Sequence, residues 1–321
     1  MPADLFRRFK QGGQPRPVAE GDGSGSAFRN QGRSRVVVHE SEFLADVDRI
    51  PAMPVVVMRL LKEVGNQHVS NSGLEDLIKQ DMVIAGRLLK LVNSPFYGLS
   101  NPVASINMAV AIIGQASLRS LVLAASTTNL MSLDLSCYGF TDGGLWKNSV
   151  TTAAVTRGIA KRAGADRDTS EEWFVAGLLR DVGMLVVAPF LTRNGLELRR
   201  DPEGNTDILR RERALLGFDH CWAGEQVGTR WALPDDLTVA IGKHHRIPTD
   251  ASPTAMRQLA AVRLAERLVY AAGVGVVADH PFETHVDGVL LHACGLDGAG
   301  FASLMQEVPG IIADAENILK G

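Results

Sequence analysis

The sequence predicts an all-α protein. After about residue 39, apolar side chains recur at helical spacing, and Pro and Gly separate one apolar stretch from the next. No stretch sustains the alternation with period two that a half-buried strand requires. The chain has 321 residues, of which 45% are hydrophobic, so it can form one large or two moderate domains with an apolar core.

Start and stop signals bound the first predicted helices. Between residues 53 and 64, apolar side chains form a stripe that begins after Pro51 and ends before Gly65. Ser72 and Glu75 have the spacing of a capping box, in which each side chain satisfies a free backbone amide at a helix start. A second helix is therefore predicted from this point.

Apolar runs predict the next helices. One helix opens at Ser105 and closes at Gly114, and another covers residues 118–130. Apolar residues then dominate residues 150–163. Residues 173–189 are apolar on all sides, which is typical of a helix at the centre of a fold.

The second half of the chain continues in the same style. Further helices are predicted at residues 208–216, 221–231, 237–245 and 256–272, with shorter ones at 286–294 and 311–319. Pro234 marks a helix start, because proline fits the first turn. Asp235 and Asp236 follow it at the positive end of the helix dipole.

Charge is distributed unevenly along the chain. The formal net charge is −3, but residues 1–38 carry seven Arg or Lys against three acids, which leaves −7 for the remainder. This basic segment is rich in Gly, Pro and Ser, so we predict a disordered tail. The acidic body argues against nucleic-acid binding, and a regulator that binds nucleic acid through the tail is the alternative.

Composition also bears on the compartment. The three cysteines are widely separated and share no CxxC spacing, which suits a reducing environment. The best candidate for a membrane span, Ala176–Leu191, is interrupted by Arg180 and Asp181, and no signal peptide is evident. We therefore expect a cytoplasmic protein with no membrane partner.

Several segments carry side chains of the types that ligate metals. They contain Asn148, Arg180-Asp181, His220, His244-His245 and Glu266. Arg180 stands directly before Asp181, so a fixed positive charge lies beside any cation that the carboxylate binds. At about 4 Å and an effective dielectric near 20, each like unit charge costs about 4 kcal/mol. This argues against a tight centre with two metal ions.

The order and spacing of these segments, together with residues 50–54, 81–94 and 105–114, resemble the HDOD domain family. This family comprises non-catalytic relatives of the HD and HD-GYP metal-dependent phosphohydrolases. The resemblance covers roughly residues 40–270 and implies an N-terminal helical lobe followed by an HD-like C-terminal lobe. We accordingly divide the chain into a tail (1–38), an HDOD domain (39–275) and a helical extension packed on the HD-like lobe (276–321).

The resemblance also assigns roles to the polar residues. In the HD-GYP pattern, histidines align with Asn148 and Arg180, and an aspartate aligns with Glu266. The retained positions are Asp181, His220, His244 and His245. They could hold a single divalent metal ion, for instance through Asp181, His220 and one residue of the His244-His245 pair. We expect no cofactor, however, and predict that these side chains form a hydrogen-bonded polar core in which Arg180 or another cation supplies the positive charge.

The implied function is a non-catalytic, bacterial signal-transduction module that acts by protein–protein interaction with signalling partners. The input could come from such a partner or from a small ligand, such as a nucleotide, in the HD-like cleft. The alternative is a metal-dependent phosphohydrolase with a degenerate site that cleaves a nucleotide or cyclic dinucleotide. An activated water and usually a second cation are needed for that chemistry, so we do not expect an enzyme.

Overall fold

A computed structural model describes residues 78, 82–93, 99, 101–128, 130–140, 143–198, 208–275 and 288–320. Within these ranges the regular secondary structure is entirely helical, which confirms the predicted fold class. The predicted tail, the helix at 53–64 and the capping box at Ser72 lie outside the described residues.

Eleven α-helices are found within the described residues. They are α1 (Met82–Val92), α2 (Ile106–Thr127), α3 (Gly144–Arg162), α4 (Arg167–Leu179), α5 (Met184–Arg193), α6 (Ile208–Leu216), α7 (His220–Arg230), α8 (Asp235–Lys243), α9 (Pro253–Ala271), α10 (Gly288–Cys294) and α11 (Gly298–Lys320). Single 3₁₀ turns at Leu130–Ser132 and Ser136–Tyr138 lie between α2 and α3.

The predicted stop at Gly114 is a kink within α2. Ser105 caps the helix by accepting a hydrogen bond from the Met108 amide at 3.2 Å. Gly114 then adopts φ 74° and ψ 167°, a left-handed conformation that glycine tolerates. The guanidinium of Arg167, at the start of α4, donates to the Ile113 carbonyl and so caps the first half of α2.

The helix predicted at 173–189 is wrong as a single element, because α4 and α5 are separated by residues 180–183. The reason is a close backbone contact with α7. A Cβ on Gly183 would lie 2.5 Å from the Gly224 nitrogen and closer still to the His220 carbonyl oxygen. The chain therefore turns at this break, which carries Arg180 and Asp181, and both side chains are buried.

Two apolar cores hold the helices together. The larger core takes its side chains mainly from α1, α2, α4, α5, α7 and α8. The second joins α3 and α9 to α10 and α11. Ion pairs Lys147–Glu316 and Arg162–Glu307 also tie α3 to α11. The described part of the C-terminal extension thus packs on α3 and α9, while its predicted boundary falls beside residues 276–287, which are not described.

Within the described ranges, two helical stretches are long and apolar enough to cross a membrane by length and composition: Ile106–Thr127 and Arg167–Arg193. Ala176–Leu191, named above as the best candidate, lies within the second stretch, and the first stretch is a further candidate that contains a single charged residue, Arg119. The most apolar windows of the two stretches are 61% and 89% buried in the protein. Their apolar side chains serve the cores described above.

Candidate functional site

Three of the predicted ligand residues meet where the α4–α5 break contacts α7 and α8. Asp181 lies in the break, His220 is the first residue of α7, and His244 caps the end of α8. Asp181 Oδ1 is 3.6 Å from His220 Nε2 and 3.3 Å from His244 Nε2. The three side chains, which we call the Asp181 cluster, are at most 1% exposed, so the cluster is closed to solvent.

Arg180 occupies the other side of the Asp181 carboxylate. Its Nη2 lies 2.8 Å from Asp181 Oδ2, and the guanidinium is fully buried. The same side chain donates to the Gly177 carbonyl at 2.9 Å and to Asn148 Oδ1. Asn148 in turn donates to the Val274 carbonyl at 3.1 Å. The two positions that carry histidine in the HD-GYP pattern thus bond to each other.

The charges around Asp181 keep it ionised. Burial alone would raise the pKa of its carboxyl group. The Arg180 guanidinium, together with His244 and His220, outweighs burial and holds the pKa of Asp181 well below its usual range. The carboxylate is therefore a permanent negative charge in the core.

Glu212 on α6 fixes the orientation of His220. Its two carboxylate oxygens lie 2.9 and 2.8 Å from His220 Nδ1, and Oε2 also accepts from the His220 backbone amide at 2.9 Å. Tyr138 donates to Glu212 Oε1 at 2.6 Å. Nδ1 is therefore the protonated nitrogen, and Nε2 is directed at Asp181. Burial opposes protonation of the second nitrogen, but the Glu212 carboxylate raises the pKa of His220 well above its ordinary value.

His244 is fixed in the same way by a backbone carbonyl. Its Nδ1 lies 2.7 Å from the Ile241 oxygen, to which it donates, and Nε2 is left facing Asp181. Cys221 Sγ is 3.8 Å from Nδ1. Although burial lowers the pKa of His244, the neighbouring Cys221 and Asp181 raise it to about 10.

His245 and Glu266 belong to a separate group beside the cluster. Arg263 donates to His245 Nδ1 and to Glu266 Oε2, the latter at 2.8 Å. The other ring nitrogen, Nε2, faces Glu266 Oε1 at 3.6 Å. Burial, followed by the charges of His244 and His220, holds the pKa of His245 well below its ordinary value. The structure therefore pairs His245 with Glu266 and Arg263, not with Asp181.

Three buried polar atoms converge in the Asp181 cluster without a geometrically satisfactory hydrogen bond. Asp181 Oδ1, His220 Nε2 and His244 Nε2 are buried and have no hydrogen-bond partner. Because the Nδ1 atom of each ring donates elsewhere, Nε2 of a neutral ring presents a lone pair to the carboxylate. Such a contact requires either a proton on at least one ring or a cation among the three atoms.

The three atoms fit one metal ion but the surroundings do not fit two. With bonds of 2.0–2.1 Å, the ligand atoms of a tetrahedral zinc site lie about 3.3 Å apart, close to the observed separations from Asp181 Oδ1. Both histidines also donate their second nitrogen to a carboxylate or a carbonyl, as metal-binding histidines usually do. Arg180, however, occupies the second carboxylate oxygen, and Asn148 offers only a neutral amide.

Two residues of this neighbourhood were not predicted from the sequence. Glu212 lies in a run of arginines that is typical of an exposed helix face, yet it is fully buried. Cys221 is buried and forms no disulfide, and its sulfur approaches His244 Nδ1 at 3.8 Å. Potential ligand atoms of Cys221, His220, His244 and His245 all lie within 4.8 Å of one another.

Comparison with known proteins gives matches over most of the chain. The model of the HDOD domain family matches residues 50–247. An uncharacterized protein of Treponema pallidum (strain Nichols) is 26% identical over 208 residues, which is 63% of this chain and 39% of the relative. The chain thus spans about two fifths of that relative's length.

Solved structures with the same fold cover nearly the whole described region. An HDOD domain protein of unknown function from Geobacter sulfurreducens has a TM-score of 0.69 at 23% identity, over 87% of this chain and 98% of that one. A Shewanella amazonensis SB2B protein whose name proposes a phosphohydrolase has a TM-score of 0.63 at 22% identity, over 88% and 99%. A Marinobacter aquaeolei VT8 protein whose name proposes a role in signal transduction has a TM-score of 0.65 at 19% identity. The match covers 87% of this chain and 65% of that one.

Proposed function

The chain belongs to the HDOD domain family, and on this premise we propose that it is a non-catalytic module of bacterial signal transduction. In this proposal it acts in the cytoplasm, through protein–protein contacts with signalling partners. The names of its structural neighbours point both to signalling and to phosphohydrolase activity, so the chemistry of this chain's own site has to decide between them.

The buried guanidinium of Arg180 is the observation that carries the proposal. Hydrolysis of phosphate esters at a two-metal centre needs a second cation that clamps the attacking and leaving oxygens. Arg180 stands where a ligand of that centre would be, 2.8 Å from Asp181 Oδ2, and supplies a charge that cannot activate water. The Asp181 cluster is also closed to solvent, so a phosphate ester does not reach it in this conformation.

The test is a metal analysis of the full chain purified without chelators, followed by a phosphodiesterase assay with added Mn²⁺ or Fe²⁺. Suitable substrates are a cyclic dinucleotide and bis(p-nitrophenyl) phosphate. We expect no turnover above the background of a matched Asp181→Ala variant. Turnover by the unmodified chain that disappears in Asp181→Ala would contradict the proposal.

A mononuclear phosphohydrolase is the second candidate, because the three convergent acceptors of the Asp181 cluster fit one ion. It predicts one equivalent of metal, lost in Asp181→Ala or His244→Gln, together with turnover. Metal without turnover would instead assign a structural ion to the cluster. In that case the regulatory proposal stands.

Partners can be sought by affinity capture from the native cell, with the full chain and with a variant lacking residues 1–38. If the folded body makes the regulatory contacts, the same partners bind both forms. Partners that bind only the full chain would place the contact in the basic N-terminal segment instead. Steep dependence of that binding on salt would favour a nucleic acid.

A further inference from the structure

A groove between α6, α7 and α8 is separate from the Asp181 cluster. Its volume is about 490 Å³, and none of Asp181, His220 and His244 lines it. The two sites approach each other at Cys221, which lines the groove and lies at the Nδ1 edge of His244, while Asp181 lies at the Nε2 edge. A volume of about 300–1,000 Å³ is typical of sites for small molecules.

Cations outnumber acids along this groove. Its charged lining consists of Arg213, Lys243, Arg246, Asp219 and Glu225. Arg213 is committed to an ion pair with Asp219, the N-cap of α7. Lys243 lies 3.8 Å from Glu225, with both side chains partly exposed, so this pair is loose. Arg246 is exposed and forms no ion pair with the described residues.

Two aromatic rings form the apolar part of the lining. Phe218 and Trp222 are half-buried, with ring centroids 5.2 Å apart and planes inclined at 46°. Trp222 lies one residue after Cys221 and lines the groove together with Lys243 and Arg246. An aromatic face beside partly exposed cations suits a ligand that combines a planar ring with a negative charge.

We propose that this groove binds a nucleotide, with its phosphate at Lys243 and Arg246 and its base against Phe218 and Trp222. Lys243 is the last residue of α8, and Arg246 lies in the turn that follows, where its amide donates to the Lys243 carbonyl at 2.9 Å. Both residues line the groove. Arg213 forms an ion pair with Asp219, so its charge is largely neutralised and the residue serves mainly as part of the groove wall. The inference holds whether or not the Asp181 cluster is catalytic, because it concerns a different set of side chains.

Binding is measured by titration calorimetry of the full chain with AMP and with GMP. Adenosine tests the ring without phosphate, and ribose 5-phosphate tests phosphate without the ring. We expect at least one nucleotide to bind, with both half-ligands weaker by tenfold or more. Removing both cations in Lys243→Gln/Arg246→Gln should weaken nucleotide binding by about 100-fold, since each contact between a cation and phosphate is worth about tenfold.

Arg210→Gln provides the matched control. Arg210 is exposed on α6 and does not line the groove, so this substitution removes one positive charge outside the groove, and its effect is compared with half of the loss in the double variant. Trp222→Leu tests the ring contact and should weaken nucleotide binding while leaving ribose 5-phosphate unchanged. Circular dichroism melting of each variant separates a loss of binding from a loss of fold.

Four results would overturn the proposal. The first is that neither nucleotide binds at millimolar concentration, and the second is that Arg210→Gln loses as much affinity as Lys243→Gln/Arg246→Gln. The third is that ribose 5-phosphate binds as tightly as the nucleotides. The fourth is that Asp181→Asn loses nucleotide affinity while Lys243→Gln/Arg246→Gln keeps it. The last result would place the ligand in the Asp181 cluster. Since the readout is binding, failure here is distinct from failure of the regulatory proposal, which is read as metal content and turnover.

Discussion

Replacing Arg180 by methionine tests the reasoning about the Asp181 cluster most directly. The substitution keeps an unbranched side chain in the core but removes the guanidinium 2.8 Å from Asp181 Oδ2. It also leaves the Gly177 carbonyl and Asn148 Oδ1 without their donor. Asp181 then stays in the core with only the two histidines as sources of positive charge.

The expected cost follows from the burial of both partners. Arg180 and Asp181 are 0% and 1% exposed. Removing one member of such a buried pair typically costs about 3–5 kcal/mol, because the other charge is left uncompensated. The free energy of unfolding should fall by that amount, which corresponds to a drop in Tm of roughly 6–20 °C for a domain of this size.

Urea denaturation followed by circular dichroism measures the change, and two further variants control it. Arg162→Met removes an arginine from an ion pair at the surface, with Glu307, and should cost about 1 kcal/mol or less. Combining Arg180→Met with Asp181→Asn removes both charges and should recover part of the loss. A loss below about 1 kcal/mol in Arg180→Met, or no recovery in the double variant, would refute the claim that this ion pair takes over the charge role of a metal.

The remaining predictions concern the surroundings of the pair. Glu212→Gln should lower the free energy of unfolding by about 2–4 kcal/mol, because the substitution removes the carboxylate that holds His220. Chemical denaturation measures this loss. A loss no larger than that caused by replacing an exposed glutamate would contradict the role of Glu212. Gly183→Ala should prevent folding, which thermal melting and the yield of soluble protein measure. The control is Gly86→Ala, where an added Cβ meets nothing within 4 Å, and this change should be neutral or slightly stabilising. Equal stability of the two variants would contradict the backbone contact at Gly183. Because the folded pKa of Asp181 lies below the ordinary 3.8, its contribution is complete above that pH and is lost as the pH falls. The difference in the free energy of unfolding between the unmodified chain and Asp181→Asn is measured by urea denaturation from pH 7 to pH 3. This difference should stay constant down to about pH 5 and then shrink. A difference that grows on acidification would contradict a stabilising role of the ionised Asp181 carboxylate.

Local signals in the sequence predicted much of the fold. The helix at Ile208–Leu216 was predicted with its observed bounds, and the stop at Gly114 coincides with the kink in α2. Both follow from properties of the chain within a few residues: periodic apolar side chains in the first case and the freedom of glycine in the second. The family resemblance, based on motif order over a much longer range, is confirmed over residues 50–247.

Features that depend on contacts between distant segments could not be predicted in this way. At the break between α4 and α5, Gly183 meets the backbone of α7, a contact between segments that are about 40 residues apart in the sequence. Glu212 stands among arginines, so its burial depends on which face of α6 turns inward. His244 and His245 are neighbours in the chain, yet His244 faces Asp181 and His245 faces Glu266, which depends on how the turn after α8 is packed.

The backbone contact at Gly183 also links the position of α7 to that of the break between α4 and α5. No side chain lies between the turn that follows Asp181 and the first turn of α7, so the two backbones must shift together or separate. A molecule that pushes on α7 from outside would therefore transmit its displacement directly to the Arg180–Asp181 ion pair. Because this contact is between backbones, a displacement of α7 would reach the buried ion pair without a series of rotamer changes between them.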